Sequence, residues 1–125
     1  MKNRAMPWRL LCMAALLGAA HATHSAGAEP QRGALLFQTC SACHSVLGDG
    51  VGPDLTGIYG QKAASRAGFN YSSALRASGL VWDDATLRAF ITNPQAVVKG
   101  TTMTFPGYAQ PADVDAVVLY LKTLK

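Results

Sequence analysis

Two cysteines, Cys40 and Cys43, are separated by only two residues in this chain of 125 residues. A disulfide between them would close a very short loop and would therefore restrict the unfolded chain very little. The third cysteine, Cys12, lies in an N-terminal segment that we expect to be removed. A domain of this size has a thin hydrophobic core, so its fold must depend on a further stabilising element.

The first 28 residues have the features of an export signal. Three basic residues and no acid stand before the apolar run: Lys2, Arg4 and Arg9. That run, residues 10–20, has 11 residues, whereas a bilayer core needs about 20. Two patterns of small residues that suit cleavage of a signal peptide occur here, one ending at Ala22 and one ending at Ala28. The later site is preferred because a plausible helix begins directly after it. The sequence therefore predicts a cleaved secretory signal peptide at 1–28 and one domain at 29–125, exported to the bacterial periplasm; an uncleaved membrane anchor is the alternative.

The net charge of the chain is concentrated in that leader. The formal net charge is +4, but the residues from Glu29 onward carry eight Lys and Arg against seven Asp and Glu. A nearly neutral folded domain argues against a nucleic-acid-binding surface. Half of the residues are hydrophobic and 14% are charged, which excludes a disordered chain.

Helical patterns and long loops alternate along the predicted domain. Four helices are predicted: one from Pro30, one over 72–78, one over 84–92 and one from Pro111. The third has Asp83 as its N-cap and Pro94 as its stop. Alternating strand patterns are nearly absent, so the predicted fold class is all-α. The loops 48–60 and 99–111 are long for so small a domain, and such loops usually wrap a bound group or carry function.

Cys40 and Cys43 belong to a C-x-x-C-H pattern that ends at His44. This pattern is the attachment motif of a c-type haem. Two thiols at this spacing can add to the two vinyl groups on one edge of a haem, and the adjacent imidazole can then reach the iron from one face. Removal of 1–28 leaves His44 and Met103 as the only histidine and the only methionine. These two side chains are therefore candidates for the two axial positions of the iron, and Met/His ligation raises the reduction potential.

Two other interpretations of the cysteines are weaker. A structural zinc site takes four nitrogen or sulfur ligands, and Cys40, Cys43 and His44 provide only three. A thioredoxin-like redox site requires a βαβ context, and strand patterns are missing here. The C-x-x-C-H pattern of an exported chain therefore favours a covalent haem over either alternative.

The chain resembles the class I cytochromes c, in particular their small soluble mitochondrial and bacterial members. The resemblance covers residues 31–124 and rests on six ordered segments: CSACH, GPDLTGIYG, AGFNYSSAL, GLVWDDATLRAFITNP, KGTTMTFPG and VVLYLK. It implies an all-α cytochrome c fold in which the N-terminal and C-terminal helices cross and the loops wrap around one covalent haem. Gly33 and Phe37 of the first helix would meet Val117 and Tyr120 of the last.

The resemblance also implies a role for each residue of the haem site. Cys40 and Cys43 would form the thioethers. His44 would be the proximal iron ligand, with its ring fixed by a hydrogen bond to the Pro53 carbonyl, and Met103 would be the distal ligand. Three further side chains would hydrogen-bond to the haem propionates: Tyr71, Trp82 and Thr101.

At several positions near the haem, this chain departs from the mitochondrial pattern. Phe90 replaces a tyrosine that bonds the methionine sulfur, and Gln61 replaces an arginine near the propionates. Gln95 and Ala96 stand where mitochondrial members carry lysines. The ring of lysines that meets an acidic oxidase is therefore mostly absent, and we expect weak electrostatic steering. Two ionised propionates would bring the net charge of the domain close to −1, since the polypeptide from Glu29 carries +1.

These features predict a soluble, exported and monomeric carrier of single electrons. It would shuttle electrons between membrane-bound or periplasmic redox enzymes by transient docking at an exposed haem edge, without binding nucleic acid or spanning a membrane. No enzyme activity is expected, because protein ligands would fill both axial positions and leave no open site for a substrate. Two alternatives remain: a haem subunit of one dehydrogenase or oxidase complex, and a peroxidase-like enzyme if Met103 is displaceable.

Overall fold

The computed structural model describes residues 28–45 and 50–125, and five helices lie in those ranges. They are α1 (Ala28–Ser41), α2 (Ser73–Ala77), α3 (Asp84–Thr92), α4 (Pro94–Val97) and α5 (Pro111–Leu121). The only extended pairing in the described part is one antiparallel bridge, between Lys62 and Val81, so the predicted all-α class is confirmed. The expected signal peptide lies outside the described residues except for Ala28, with which α1 begins.

Among the described helices, α1 and α5 form the most extensive contact. Gly33 allows the close approach, because a Cβ at this position would overlap the Ala116 carbonyl oxygen and lie 2.8 Å from the Tyr120 Cβ. Further along α1, the rings of Phe37 and Tyr120 pack with their centroids 5.0 Å apart. The predicted crossing of the first and last helices is therefore confirmed.

The apolar stripe of α5 forms the centre of the hydrophobic core. Four buried residues follow one side of this helix: Val114, Val117, Val118 and Leu121. α3 packs against α5, and its buried residues Leu87, Phe90 and Ile91 belong to the same cluster. Both stripes were predictable, because apolar residues three and four positions apart share one face of a helix.

Side-chain caps fix where the short helices begin. Asp83 and Ser72 each accept a hydrogen bond from the backbone N–H three residues on, at 2.8 and 3.1 Å, and so cap α3 and α2. The sequence predicts Pro94 only as the stop of α3. The structure also places it at the first position of α4, because Asn93 ends α3 and caps α4 by accepting an N–H at 3.1 Å. This short fourth helix was missed.

A cluster of polar contacts joins the start of α3 to the end of α5. The Asp84 carboxylate accepts hydrogen bonds from Lys122 Nζ and from the Tyr59 hydroxyl, each at 2.6 Å. Both contacts lower the pKa of Asp84, and the hydrogen bond from Lys122 has the larger effect. A carboxyl that is more acidic in the folded than in the unfolded chain stabilises the fold above its unfolded pKa, and this contribution is lost as the pH falls through the folded pKa.

We expect Gly33→Ala to destabilise the folded protein, because the added methyl group would overlap the backbone of α5. Overpacking of this kind costs about 1–3 kcal/mol. Leu35→Ala is the matched control, since Leu35 is 66% exposed on the same helix and its truncation should change the free energy of unfolding by less than about 0.5 kcal/mol. Denaturant titration of the two variants measures both values, and equal stabilities would contradict the close crossing.

Candidate functional site

A cavity of about 740 Å³ lies between α3, α5 and the loops that connect the helices. This volume is within the range of small-molecule sites, about 300–1,000 Å³. All eight residues that the sequence predicts for the site line the cavity: Cys40, Cys43, His44, Pro53, Tyr71, Trp82, Thr101 and Met103. The fold therefore brings together candidate residues that are far apart along the chain.

The end of α1 presents two thiols and an imidazole to the cavity. The backbone N–H groups of Cys43 and His44 both donate to the Cys40 carbonyl oxygen, at 3.1 and 2.9 Å, so the chain turns tightly here. Cys40 is half-buried and Cys43 is exposed, and neither forms a disulfide. Burial raises the pKa of the Cys40 thiol, which keeps it protonated near neutral pH. Both thiols are thus available for covalent attachment of a bound group.

The loop after this turn orients the His44 ring. His44 Nδ1 donates a hydrogen bond to the Pro53 carbonyl oxygen at 2.7 Å, which leaves Nε2 with the free lone pair. A Cβ at Gly52 would lie 2.5 Å from His44 Cε1 and 2.7 Å from Nδ1. The Gly52 N–H in turn donates to the Cys43 carbonyl oxygen at 2.9 Å. The close packing of Gly52 and the hydrogen bond to Pro53 therefore fix the orientation of the imidazole and leave Nε2 available to a metal.

Met103 reaches the same cavity from the loop between α4 and α5. It is half-buried and packs against the core cluster. Its N–H donates to Thr101 Oγ1 at 3.3 Å, and Thr101 is buried. Phe90, which also lines the cavity, carries no polar atom that could bond to the methionine sulfur. The thioether therefore meets the cavity in apolar surroundings.

Two aromatic residues add hydrogen-bond donors to the cavity wall. Tyr71 and Trp82 are 8% and 6% exposed. The Tyr71 ring packs on Phe69 with centroids 4.8 Å apart, and the Trp82 ring packs on Phe90 at 4.9 Å. Burial raises the pKa of the Tyr71 phenol, so its O–H stays protonated at neutral pH. The cavity wall thus includes a tyrosine and a tryptophan, each of which carries a hydrogen-bond donor.

Sequence reasoning did not identify Lys62 and Arg66 as cavity residues, although both line it. The Arg66 guanidinium donates to the Thr56 carbonyl oxygen and lies 3.4 Å from Asp54 Oδ2. Cations at the wall suit a ligand that carries carboxylates. No motif marks these two residues, because isolated basic side chains are common on any protein surface.

Together these residues fit a covalently attached haem. The two thiols match the two vinyl groups, and the free His44 Nε2 and the Met103 sulfur match the ligands that a haem iron accepts. Apolar walls suit the porphyrin, while the donors and cations suit its propionates. The family resemblance of the sequence implied the same residues apart from Lys62 and Arg66.

Neither a ready-made metal cluster nor a membrane-spanning helix is found in residues 28–45 and 50–125. No three His, Cys, Asp or Glu side chains there could hold a metal ion as a group. No helix of those ranges has both the length and the apolar character to cross a membrane.

Comparison with known proteins gives consistent matches. The family model described as Cytochrome c matches residues 30–125. Cytochrome c2 of Rhodomicrobium vannielii is 44% identical over 115 residues, which are 87% of this chain and 92% of that protein. Cytochrome c2 iso-2 of Magnetospirillum fulvum is 49% identical over 90 residues, 70% of this chain and 94% of that protein. The solved structure of cytochrome cH from Methylobacterium extorquens matches with a TM-score of 0.73 and 43% identity, covering 75% of this chain and 97% of that one.

We expect Gly52→Ala to displace the His44 ring, because the new methyl group would lie within 3 Å of three ring atoms. The loss of the bond to Pro53 and the overpacking should together lower the free energy of unfolding by about 1–3 kcal/mol. Leu35→Ala is again the control, since Leu35 is 66% exposed on α1 and does not line the cavity. Thermal unfolding of both variants tests this prediction. A Gly52→Ala protein as stable as the control would show that the close packing of Gly52 against the His44 ring does not contribute to stability.

Proposed function

The chain belongs to the cytochrome c family and is an electron carrier with one haem c bound covalently through Cys40 and Cys43, and from that premise we propose its ligands, its compartment and its manner of docking. His44 and Met103 would hold the haem iron, and the domain would shuttle single electrons between membrane-bound or periplasmic redox enzymes. One observation supports this most directly: two thiols, a free imidazole nitrogen and a thioether all line a single cavity.

When bound, haem supplies reversible exchange of one electron between Fe(II) and Fe(III). The chain's own residues set how readily that exchange occurs. Burial in an apolar cavity disfavours the additional positive charge of the ferric state, and a methionine ligand acts in the same direction. The reduction potential should therefore be high within the roughly 0.8 V range that axial ligands span.

Three groups of the chain orient the cofactor in this proposal. The Pro53 carbonyl fixes the tautomer and the rotation of the His44 ring through the 2.7 Å hydrogen bond. Two buried donors, Tyr71 and Trp82, hydrogen-bond to the haem propionates, as does the Thr101 hydroxyl. Fixed ligands in both oxidation states reduce the rearrangement that each electron transfer requires.

The compartment follows from the N-terminal segment. Residues 1–28 act as a secretory signal, with cleavage after Ala28 or after Ala22, and the domain 29–125 works as a monomer in the bacterial periplasm. The start of α1 at Ala28 is compatible with either site, because cleavage after Ala22 leaves the whole helix and cleavage after Ala28 removes only its first residue. Redox partners dock transiently, through an interface below roughly 1,200 Å².

The docking face carries little charge in this proposal. Four ion-paired cations face acids of the domain itself: Arg32, Arg66, Arg88 and Lys122. Around the Met103 loop, Gln95, Ala96 and Thr102 are uncharged and exposed, which leaves Lys62 at the cavity wall and Lys99 as the exposed lysines near it. Apolar and polar contacts, rather than long-range attraction, then decide how partners associate.

We expect Met103→Ala to retain the covalent haem but to lose the weak far-red absorption band of a sulfur–iron bond. With the thioether gone, cyanide should bind the ferric protein at least about tenfold more tightly, because it no longer competes with an internal ligand. Ala96→Gln, at an exposed position of α4 that does not line the cavity, should behave as the wild type. If Met103→Ala kept the far-red band, Met103 would not be the ligand. Rapid peroxidase turnover by the wild type would instead favour a displaceable methionine and an enzyme.

We expect the rate of electron transfer to depend little on salt. Oxidation of the ferrous protein by anionic hexacyanoferrate and by cationic tris(phenanthroline)cobalt should each change less than about threefold between about 0.01 M and about 0.5 M salt, since few unpaired charges act at the haem edge. Ala96→Lys adds one cation to that face and should make the anionic reagent faster at low salt. A wild type that slows more than about tenfold with hexacyanoferrate would reveal a basic docking ring.

A further inference from the structure

The side chain of Gln95, an exposed residue of α4, bridges the loop that carries Met103. Its Nε2 donates to the Thr101 carbonyl oxygen at 2.8 Å and lies 3.4 Å from the Met103 carbonyl oxygen. Its Oε1 accepts the Gly100 N–H at 3.3 Å. One amide thus contacts the backbone of three of the four residues from Gly100 to Met103.

This arrangement requires a side chain that both donates and accepts. An amide offers two N–H donors and a carbonyl acceptor, whereas lysine donates only and glutamate accepts only. The 2.8 Å bond to Thr101 is the strongest of the three, and the two longer contacts are weak by the usual distance criteria. Gln95 therefore matches the alternation of N–H and C=O groups in this loop better than either charged residue would.

Gln95 lies on the capped helix α4, whereas the loop that it contacts has no regular secondary structure. Asn93 caps α4, and Pro94 is buried at its first position. The Val98 N–H closes the helix by donating to the Pro94 carbonyl oxygen at 2.9 Å. Gly100 then takes a φ of +91°, a conformation open mainly to glycine. Gln95 thus connects a capped helix to a turn whose other anchors are the Thr101 N–H, which donates to the Val98 carbonyl oxygen at 3.0 Å, and the Met103 N–H, which donates to Thr101 Oγ1 at 3.3 Å.

We propose that Gln95 is a positioning residue that holds the Met103 loop closed against the cavity. The inference rests on the proposed role of Met103 as an iron ligand and adds a determinant of how firmly that ligand stays in place. Loss of the amide raises the fraction of molecules in which the loop has moved away. An external ligand that competes with Met103 then binds more tightly, in proportion to that fraction.

The test is titration of the ferric holoprotein with imidazole, under conditions where every variant is folded. Gln95→Ala should bind imidazole about tenfold more tightly than the wild type, the effect of losing one good hydrogen bond and two weak ones. Gln95→Glu keeps the acceptor but loses both donors, so it should resemble Gln95→Ala. Ala96→Gln places the same side chain at the adjacent exposed position and should leave the affinity unchanged. An affinity of Gln95→Ala within about twofold of the wild type would overturn the proposal.

Two reference variants separate this inference from the function on which it rests. Met103→Ala gives the highest imidazole affinity expected, because no thioether then competes for the iron. If this variant binds imidazole no more tightly than the wild type, Met103 is not the ligand and the proposed ligation fails. If Met103→Ala binds more tightly while Gln95→Ala does not, only the role of Gln95 fails. Gly33→Ala weakens the distant helix crossing, and its imidazole affinity should stay at the wild-type value. A matching increase in Gly33→Ala would mean that general loss of stability explains the effect.

Discussion

The apolar faces of α3 and α5 border a large cavity, which a haem would fill, and the remainder of the fold depends on this constraint. Phe90, Ile91, Val117 and Leu121 belong to the core cluster, and the same four residues line the cavity of about 740 Å³. Removing apolar surface from water stabilises a protein by roughly 25 cal/mol per Å², and a small domain has little such surface to bury within itself. Haem would therefore serve as part of the core as well as the redox centre.

The two sides of the site are built by different means. On the His44 side, the tight turn at the end of α1 and the close packing of Gly52 against the ring leave little freedom. On the Met103 side, the loop between α4 and α5 is held by side-chain hydrogen bonds, from Gln95 and Thr101, to its backbone. Hydrogen bonds at exposed positions contribute modestly, so the Met103 side is the one more open to adjustment. If Met103 is the iron ligand as proposed, sequence changes there would tune the strength of that ligand without disturbing covalent attachment.

Much of this structure could be predicted from local sequence patterns. The stripe of α5 and the Asp83 cap follow from spacing and capping chemistry, which act over a few residues. The C-x-x-C-H pattern indicated the cofactor, because covalent attachment requires those residue types at that spacing. All eight residues expected at the site line one cavity.

Features that depend on distant contacts were harder to predict. Pro94 reads locally as a stop, and only the Asn93 side chain shows that a new helix begins there. Arg66 belongs to the cavity because a loop without a motif folds toward it. In the sequence, Gln95 was notable only because mitochondrial members of the family carry a lysine at this position. Its hydrogen bonds to the Met103 loop depend on how α4 and that loop meet. Such pairings are set by tertiary geometry, which no short pattern encodes.

Intact-mass spectrometry of the exported protein, with its visible spectrum, tests the central claim most directly. Addition of a thiol across a vinyl group loses no atoms, so attachment through Cys40 and Cys43 predicts the mass of the processed chain plus one whole haem, retained under denaturing conditions. The measured mass of the chain also identifies the site at which the signal peptide is cleaved. A product with the mass of the polypeptide alone, or one without visible absorption, would contradict the account.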